Sequence, residues 1–148
     1  MQWIQRRIRL APRPQGVHLI SQEVLPQFPE LAQFQVGIAH FFLQHTSAGL
    51  AINENAEPEV RADLHRFLHE VVPEGAAYYT HRYEGPDDMP AHIKTVLVGN
   101  SVTIPITAGR LALGTWQGLY LCEFRRHAAG RHLIVTVWGS AAHSPTEE

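Results

Sequence analysis

The order of its segments constrains this chain most, because strand-like patterns stand at both ends and two helical patterns lie between them. Residues 2–10 alternate loosely, with Ile4, Ile8 and Leu10 on one parity, as in a strand with a polar outer face. Residues 101–138 contain further strand-like runs separated by turns. Since the strands precede and follow the helices instead of alternating with them, the order predicts an α+β fold with mostly antiparallel strands. We expect a β sandwich flanked by two main helices.

The segment of residues 36–45 has the pattern of a long strand that is apolar on both faces. Phe41 and Leu43 fall on odd positions, whereas Ile38 and Phe42 fall on even positions. Strands with two apolar faces are typically buried on both sides. This segment is therefore predicted to be a central strand with both faces covered.

Two segments have helical periodicity. Residues 57–72 carry apolar side chains at spacings of three and four, which form one stripe. A second helix is predicted from Asp87 or Asp88, as its cap, to about residue 98, where Gly99 supplies the stop. Its expected inner face comprises Ile93, Val96 and Leu97.

Length and composition narrow the class of protein. A chain of 148 residues suits one domain, residues 1–148, with a polar and flexible tail over residues 139–148. The formal net charge of −2 provides no field to attract nucleic acid or an anionic membrane, and no apolar run is long enough to span a bilayer. The single cysteine, Cys122, excludes an internal disulfide framework and suits a reducing compartment. We expect a cytoplasmic protein.

Residues 80–95, read as THRYEGPDDMPAHIKT, hold the densest group of polar side chains and the only lysine. Asp88 and His92 are four residues apart, so they share one face of the predicted helix, and His81 lies on the loop just upstream. A carboxylate and imidazoles in this arrangement can bind a divalent ion or transfer protons. The alternative is that Asp88 only caps the helix and that both histidines are surface residues.

Two further polar stretches are expected to meet this one: QHTSAG at residues 44–49 and GTWQG at residues 114–118. In the first, His45 ends a buried strand, where an imidazole is commonly a hydrogen-bonded core residue. Thr46 and Ser47 follow in a turn whose hydroxyls and amides can hold an anion, or can serve ordinary turn chemistry.

A strand near the C-terminus carries charged side chains beside leucines. Gln117, Leu119, Leu121, Glu123 and Arg125 share one parity. Charges in that setting require a paired ion couple or a polar cavity. Arg125 is suited to bidentate phosphate binding, and a structural Glu–Arg pair is the alternative.

Five segments, in order, resemble the YjbQ family, also called the secondary thiamine-phosphate synthase enzyme family. They are HTSAGLAINENAEPEV, HRYEGPDDMPAHIK, GNSVTIPIT, GRLALGTWQGLYLCEFR and HLIVTVWG, and they lie within residues 36–139. The resemblance implies a compact α+β sandwich that commonly assembles as a homotrimer, with candidate metal-binding histidines in a polar pocket. It also implies a weak activity that joins a hydroxymethylpyrimidine diphosphate to a thiazole phosphate and releases pyrophosphate.

The family motifs and the side-chain chemistry together suggest roles for individual residues. Catalytic roles are expected for His45, His81, His92 and Glu123. Contacts with a small phosphorylated substrate are expected for Thr46, Ser47, Asn53, Gln117 and Arg125. A divalent metal, zinc or magnesium, is expected at His45, His81, Asp88 and His92.

Two other functions remain compatible with these residues. Magnesium prefers carboxylates, whereas a histidine-rich set suits zinc or a related ion. This mismatch fits a side activity and leaves a metal-dependent hydrolase or lyase acting on another small substrate as an alternative. A non-catalytic module that binds an anion or a metal would use the same groups.

Overall fold

The computed structural model describes residues 1–141 and builds them into two antiparallel β sheets and three α-helices. The strands are β1 (Gln2–Leu10), β2 (Gly16–Leu19), β3 (Phe34–Leu43), β4 (Ala48–Glu54), β5 (Ser101–Thr107), β6 (Arg110–Leu111), β7 (Gln117–Glu123) and β8 (Arg131–Ala141). The helices are α1 (Ser21–Val24), α2 (Pro58–Val71) and α3 (Asp88–Val98), and two 3₁₀ turns, Leu25–Gln27 and Pro29–Gln33, follow α1. None of the helices within residues 1–141 combines the length and the apolar character that a membrane span requires.

The strands form a five-stranded sheet in the order β1-β8-β3-β5-β6 and a three-stranded sheet in the order β2-β7-β4. Every strand pairing in the described chain is antiparallel. The predicted α+β class and sandwich are therefore confirmed, with α2 and α3 as the two main helices.

The main core lies between the two sheets, because each strand turns one parity of apolar side chains inward. On the inner side of the three-stranded sheet, Leu119 and Leu121 join this core. On its outer side, Tyr120 and Cys122 pack with Ala91 of α3 and with apolar residues of α2 in a second, smaller cluster. The three-stranded sheet is thus buried on both faces and lies between the larger sheet and the helices.

The prediction that β3 is covered on both sides is wrong for the described chain. Both helices pack on the smaller sheet, so the outer face of the five-stranded sheet has no helix over it within residues 1–141. Val36 on this face is 63% exposed, and Phe42 is also exposed. The apolar pattern of β3 therefore leaves an uncovered surface.

The predicted inner face of α3 is also wrong. Its buried side chains include Ala91, Lys94 and Thr95, whereas Val96 is 83% exposed and Leu97 is exposed as well. The Thr95 hydroxyl lies 2.9 Å from the carbonyl oxygen of Ala91 in its own helix and 3.3 Å from that of Ala48 in β4. The packing of small residues against the sheet sets the rotation of this helix, and the larger apolar residues face outward.

Strand β8 continues further than the sequence suggested. Residues 139–141 belong to it, and Gly139 pairs with Gln2 of β1 and with Gly37 of β3. The prediction of a flexible tail is wrong for these three residues, because the neighbouring strands hold them through backbone pairing. The remaining part of the predicted tail, residues 142–148, lies outside the described residues.

Candidate functional site

His81, Asp88 and His92 meet at the N-terminal end of α3. The Nε2 atoms of His81 and His92 lie 2.6 Å and 2.9 Å from Oδ2 of Asp88. The three potential ligand atoms all lie within 4.8 Å of one another. Asp88 is buried, whereas the two imidazoles reach the surface. The three groups are joined by hydrogen bonds, and their ligand atoms are close enough to hold a small cation on the exposed side.

Local structure explains why these three side chains converge. Helix α3 begins at Asp88, so His92 lies one turn later on the same face. Upstream, Gly85 has a φ of +100°, a conformation that L side chains rarely adopt. The turn at Gly85 leads the chain into the helix, and His81 on the preceding loop lies against Asp88.

The second nitrogen of His92 indicates what the site can hold. Nδ1 lies 2.9 Å from the carbonyl oxygen of Thr46, which can only accept, so Nδ1 carries a proton and donates it. In a neutral ring, Nε2 then points a lone pair at the carboxylate of Asp88, which is repulsive. A proton or a metal ion between the two atoms removes that repulsion. The donor set therefore fits a cation.

Arg125 pairs with the two carboxylates at the start of α3, Asp87 and Asp88. Its Nη1 donates to Oδ1 of Asp88 at 2.5 Å, its Nε donates to Oδ2 of Asp87 at 3.0 Å, and its Nη2 donates to the carbonyl oxygen of Glu84 at 2.9 Å. Burial opposes ionisation of Asp88, but the hydrogen bond from His81 and the charges of His92 and Arg125 hold the pKa of Asp88 below its ordinary value. Arg125 positions the carboxylates, and protein groups occupy the edge that was expected to bind phosphate.

His45 lies apart from this cluster, although it was expected to ligate the same metal. Its Nε2 accepts the backbone N–H of His132 at 2.9 Å, so that nitrogen is already engaged. Burial, followed by the nearby charge of Arg131, lowers the pKa of His45. His45 instead lines a cleft together with Thr46 and His92.

Glu123 and Ser47 belong to a buried ion-pair network. The carboxylate of Glu123 accepts from Nε and Nη2 of Arg131 at 2.7 Å and 2.5 Å. Arg131 also donates to Oγ and to the carbonyl oxygen of Ser47 at 3.0 Å and 3.1 Å. The ion-pair partner of Glu123 is thus Arg131, whereas Arg125 donates only its backbone N–H to this carboxylate. The network fixes the turn that presents the carbonyl of Thr46 to His92.

The GTWQG stretch does not reach the site within this chain, so the prediction that all three polar stretches meet is wrong. Strand β7 runs antiparallel to β4, with Glu123 opposite Ala48 and Gln117 opposite Glu54. Gln117 is therefore about 20 Å along the strand from Glu123. Gln117 accepts the amide N–H of Gly114, and Asn53 accepts that of Glu54, so both expected substrate contacts form local bonds instead.

Two clefts flank the cluster. The first has a volume of about 560 Å³ and includes His81, and the second has a volume of about 520 Å³ and includes His92 and Thr46. The two imidazole rings lie 5.4 Å apart, centroid to centroid. The first cleft also contains Tyr79, Arg82 and Met89, which the sequence patterns did not single out, since its wall is an irregular loop without periodicity.

Residues 6–140 match the family described as UPF0047 protein YjbQ-like. The UPF0047 protein YjbQ of Salmonella typhimurium (strain LT2) is 47% identical over 137 residues, which cover 93% of this chain and 99% of that protein.

Two solved structures match most of the chain. An uncharacterized conserved protein of the YjbQ/UPF0047 family from Clostridium acetobutylicum is 36% identical, with a TM-score of 0.75, and the match covers 91% of this chain and 99% of that one. A YbjQ-like protein of unknown function from Sulfolobus solfataricus P2 has a TM-score of 0.81 at 23% identity, over 94% and 99% of the two chains, and shows the fold alone. The names of these relatives state no reaction.

Proposed function

The chain belongs to the YjbQ-like UPF0047 family, and we propose that it is a metal-dependent enzyme that acts on a small phosphorylated molecule. The observation that supports this proposal is the cluster of His81, Asp88 and His92. Three protein ligands beside an open position are typical of catalytic zinc sites, and two imidazoles with one carboxylate suit zinc better than magnesium. A divalent ion bound there would supply Lewis-acid chemistry at a phosphoryl oxygen or lower the pKa of a water molecule.

In this proposal the surrounding residues fix the tautomer and the orientation of the ligand side chains before substrate binds. The carbonyl of Thr46 selects the tautomer of His92 that leaves Nε2 available as a ligand. Arg125 orients the carboxylate of Asp88 so that Oδ2 faces the two imidazoles. Glu123 acts through Arg131 and the turn at Ser47, as a positioning residue.

Two reactions are candidates, and each is favoured by a different observation. Two clefts, each lined by one histidine of the cluster, favour a two-substrate reaction, and thiamine phosphate formation is the one implied by the family resemblance. The histidine-rich ligand set favours hydrolysis of a phosphate ester. We therefore propose both assays, with thiamine phosphate formation first.

The test compares metal dependence with ligand dependence. The protein is stripped with a chelator, reloaded with Zn²⁺, Mn²⁺ or Mg²⁺, and assayed for thiamine phosphate formation and for hydrolysis of phosphate monoesters. We expect turnover to require the metal and to fall by at least about 100-fold in His92→Gln. His69→Gln is the matched control, because this histidine lies on the exposed side of α2 beside His65. Metal binding without turnover in either assay would support a non-catalytic module, and failure to bind any of the three metals would refute the proposal.

We also propose that the protein is a cytoplasmic homotrimer. A cyclic trimer needs two different complementary surfaces on each subunit. The uncovered face of the five-stranded sheet supplies one apolar surface, where Trp3 stacks on Trp138 and is 64% exposed. Exposed Val96 and Leu97 on α3 supply a second. The free, buried thiol of Cys122 supports a reducing compartment.

A further inference from the structure

The first cleft carries an arginine that the function proposed above does not use. Nε of Arg82 donates to the carbonyl oxygen of Tyr79 at 2.7 Å, and Nη2 donates to that of Ala77 at 3.2 Å. Both acceptors are neutral, so these bonds hold the guanidinium plane at the cleft wall and leave its charge uncompensated. Within residues 1–141, Arg82 forms no ion pair with a carboxylate.

This lack of compensation sets Arg82 apart from the other arginines around the site. Arg125 is paired with Asp87 and Asp88, Arg126 is paired with Glu74, and Arg131 is paired with Glu123. A guanidinium that is held in place but lacks a counter-ion is suited to pair with an anion from solution. The residues that line the cleft include no carboxylate that would compete for it.

The remaining walls of the cleft are largely apolar. Tyr79, Pro86 and Met89 line it, and the hydroxyl of Tyr79 is turned toward the carbonyl oxygen of Pro73, to which it donates at 2.8 Å. Tyr79 is only 6% exposed and its ring packs against that of Tyr78, so it forms a fixed apolar part of the wall. The volume of about 560 Å³ lies within the ordinary range for small-molecule sites.

We propose that this cleft binds a small organic phosphate, with Arg82 paired to the phosphate and the apolar wall covering the organic body. His81 lines the same cleft and precedes Arg82 in the chain, so the phosphate would lie at the edge of the cluster described above. The inference rests on the proposed function only for the role of the metal. The pairing between Arg82 and a phosphate requires no metal.

The experiment measures binding of phenyl phosphate and of inorganic phosphate by titration calorimetry, with chelator-treated and zinc-loaded protein. We expect phenyl phosphate to bind both forms at least about 10-fold more tightly than inorganic phosphate. Only phenyl phosphate has an apolar group that can contact the apolar wall of the cleft. Arg82→Gln should weaken phenyl phosphate binding by about 10-fold or more and leave the zinc stoichiometry unchanged. Arg66→Gln, at an exposed arginine of α2, should match the unmodified protein.

A second variant tests the cleft while Arg82 and the backbone carbonyl of residue 77 are both retained. Ala77→Trp places a large side chain in the wall, so phenyl phosphate binding should be lost while inorganic phosphate still binds. Unchanged phenyl phosphate affinity in either Arg82→Gln or Ala77→Trp would overturn the inference. Arg82-dependent binding in a protein that takes up no zinc would refute the proposed function and leave the inference standing. Zinc-dependent turnover that is insensitive to both variants would support the proposed function and overturn the inference about Arg82.

Discussion

At the scale of single residues, the site depends on which atom of each side chain is engaged. The two oxygens of Asp88 have different partners. Oδ1 accepts from Arg125, and Oδ2 faces both imidazoles. His92 likewise donates from Nδ1 to a carbonyl and keeps Nε2 for the cluster. His45 has the same chemical capacity, but an amide proton occupies its Nε2. Identity of the side chain therefore defines candidates, and hydrogen bonding selects among them.

Lys94 allows a residue-scale test of buried charge. It is 2% exposed, its Nζ lies 5.7 Å from the centroid of the Phe124 ring, and burial lowers its pKa. No ion pair of Lys94 with a carboxylate is found within residues 1–141. Lys94→Met should therefore raise the free energy of unfolding by about 1 kcal/mol, as measured by urea denaturation.

The control for this substitution is Arg66→Met, since Arg66 is largely solvent-exposed and should change the free energy of unfolding little. If Lys94→Met destabilises the protein instead, the ammonium group has a stabilising contact that outweighs its burial.

His45 allows a test of pH dependence. Burial and the charge of Arg131 lower its pKa in the folded state, so the unfolded chain binds a proton more readily. Because the unfolded state gains protons first, the free energy of unfolding should fall as pH decreases below about 6.5, the ordinary histidine pKa. His45→Gln keeps an acceptor for the N–H of His132 but does not titrate, so it should lose less stability over that range.

Urea midpoints measured at several pH values from about 7.5 to about 5.5 compare the two proteins. Parallel curves for the unmodified protein and for His45→Gln would show that His45 does not contribute to acid sensitivity.

At the scale of secondary-structure elements, the turn between β3 and β4 connects the site to the core. Arg131, at the start of β8, contacts Glu123 at the end of β7 and Ser47 in the turn. The carbonyl oxygen of Thr46, the residue before Ser47, accepts a hydrogen bond from Nδ1 of His92. Two strands, β7 and β8, and the turn between β3 and β4 thus determine the orientation of a side chain on α3.

Glu123→Gln tests this connection. The substitution leaves the guanidinium of Arg131 buried without a counter-charge, so it should cost about 3 kcal/mol of stability. It should also weaken zinc binding by about 10-fold through the turn, because outer contacts of metal ligands typically have effects of this size. Glu70→Gln, at an exposed glutamate of α2, serves as the control. Loss of turnover with unchanged stability and zinc affinity would instead indicate a direct catalytic role for Glu123.

At the scale of the whole molecule, the smaller sheet is enclosed and the larger sheet is not. The helices cover the three-stranded sheet, and apolar side chains of β1, β3 and β8 remain on the outer face of the five-stranded one. Uncovered apolar surfaces of this kind are commonly contact sites between proteins. The sequence pattern of β3, apolar on both faces, is consistent with burial of this face in an assembly.

The assembly is tested by light scattering after size-exclusion chromatography. We expect a mass about three times the 16.6 kDa of one chain. Trp3→Glu and Val96→Glu lie on the two different apolar surfaces, and each should reduce the mass to that of a monomer. Trp116→Glu, at an exposed residue of the β6–β7 loop, is the control. Unchanged mass in both interface variants would exclude these surfaces as the contacts.

By itself, the sequence determined what depends on near neighbours along the chain. Alternation located the strands, spacings of three and four located α2, and the cap at Asp87 or Asp88 with the stop at Gly99 located α3. The four-residue spacing placed Asp88 and His92 on one helical face. Side-chain chemistry also indicated that His81, on the adjacent loop, would join them, and the structure brings the three together.

Only the tertiary structure decided what depends on partners distant in the chain. The pairing of Glu123 with Arg131, and of Arg125 with Asp87 and Asp88, follows from how β7, β8 and α3 pack. The register of β7 against β4 carries Gln117 away from the site, and the loop wall of the first cleft has no periodicity from which to predict it. Periodicity encodes which face of an element is apolar, but charges and hydrogen bonds are matched only when the elements pack together.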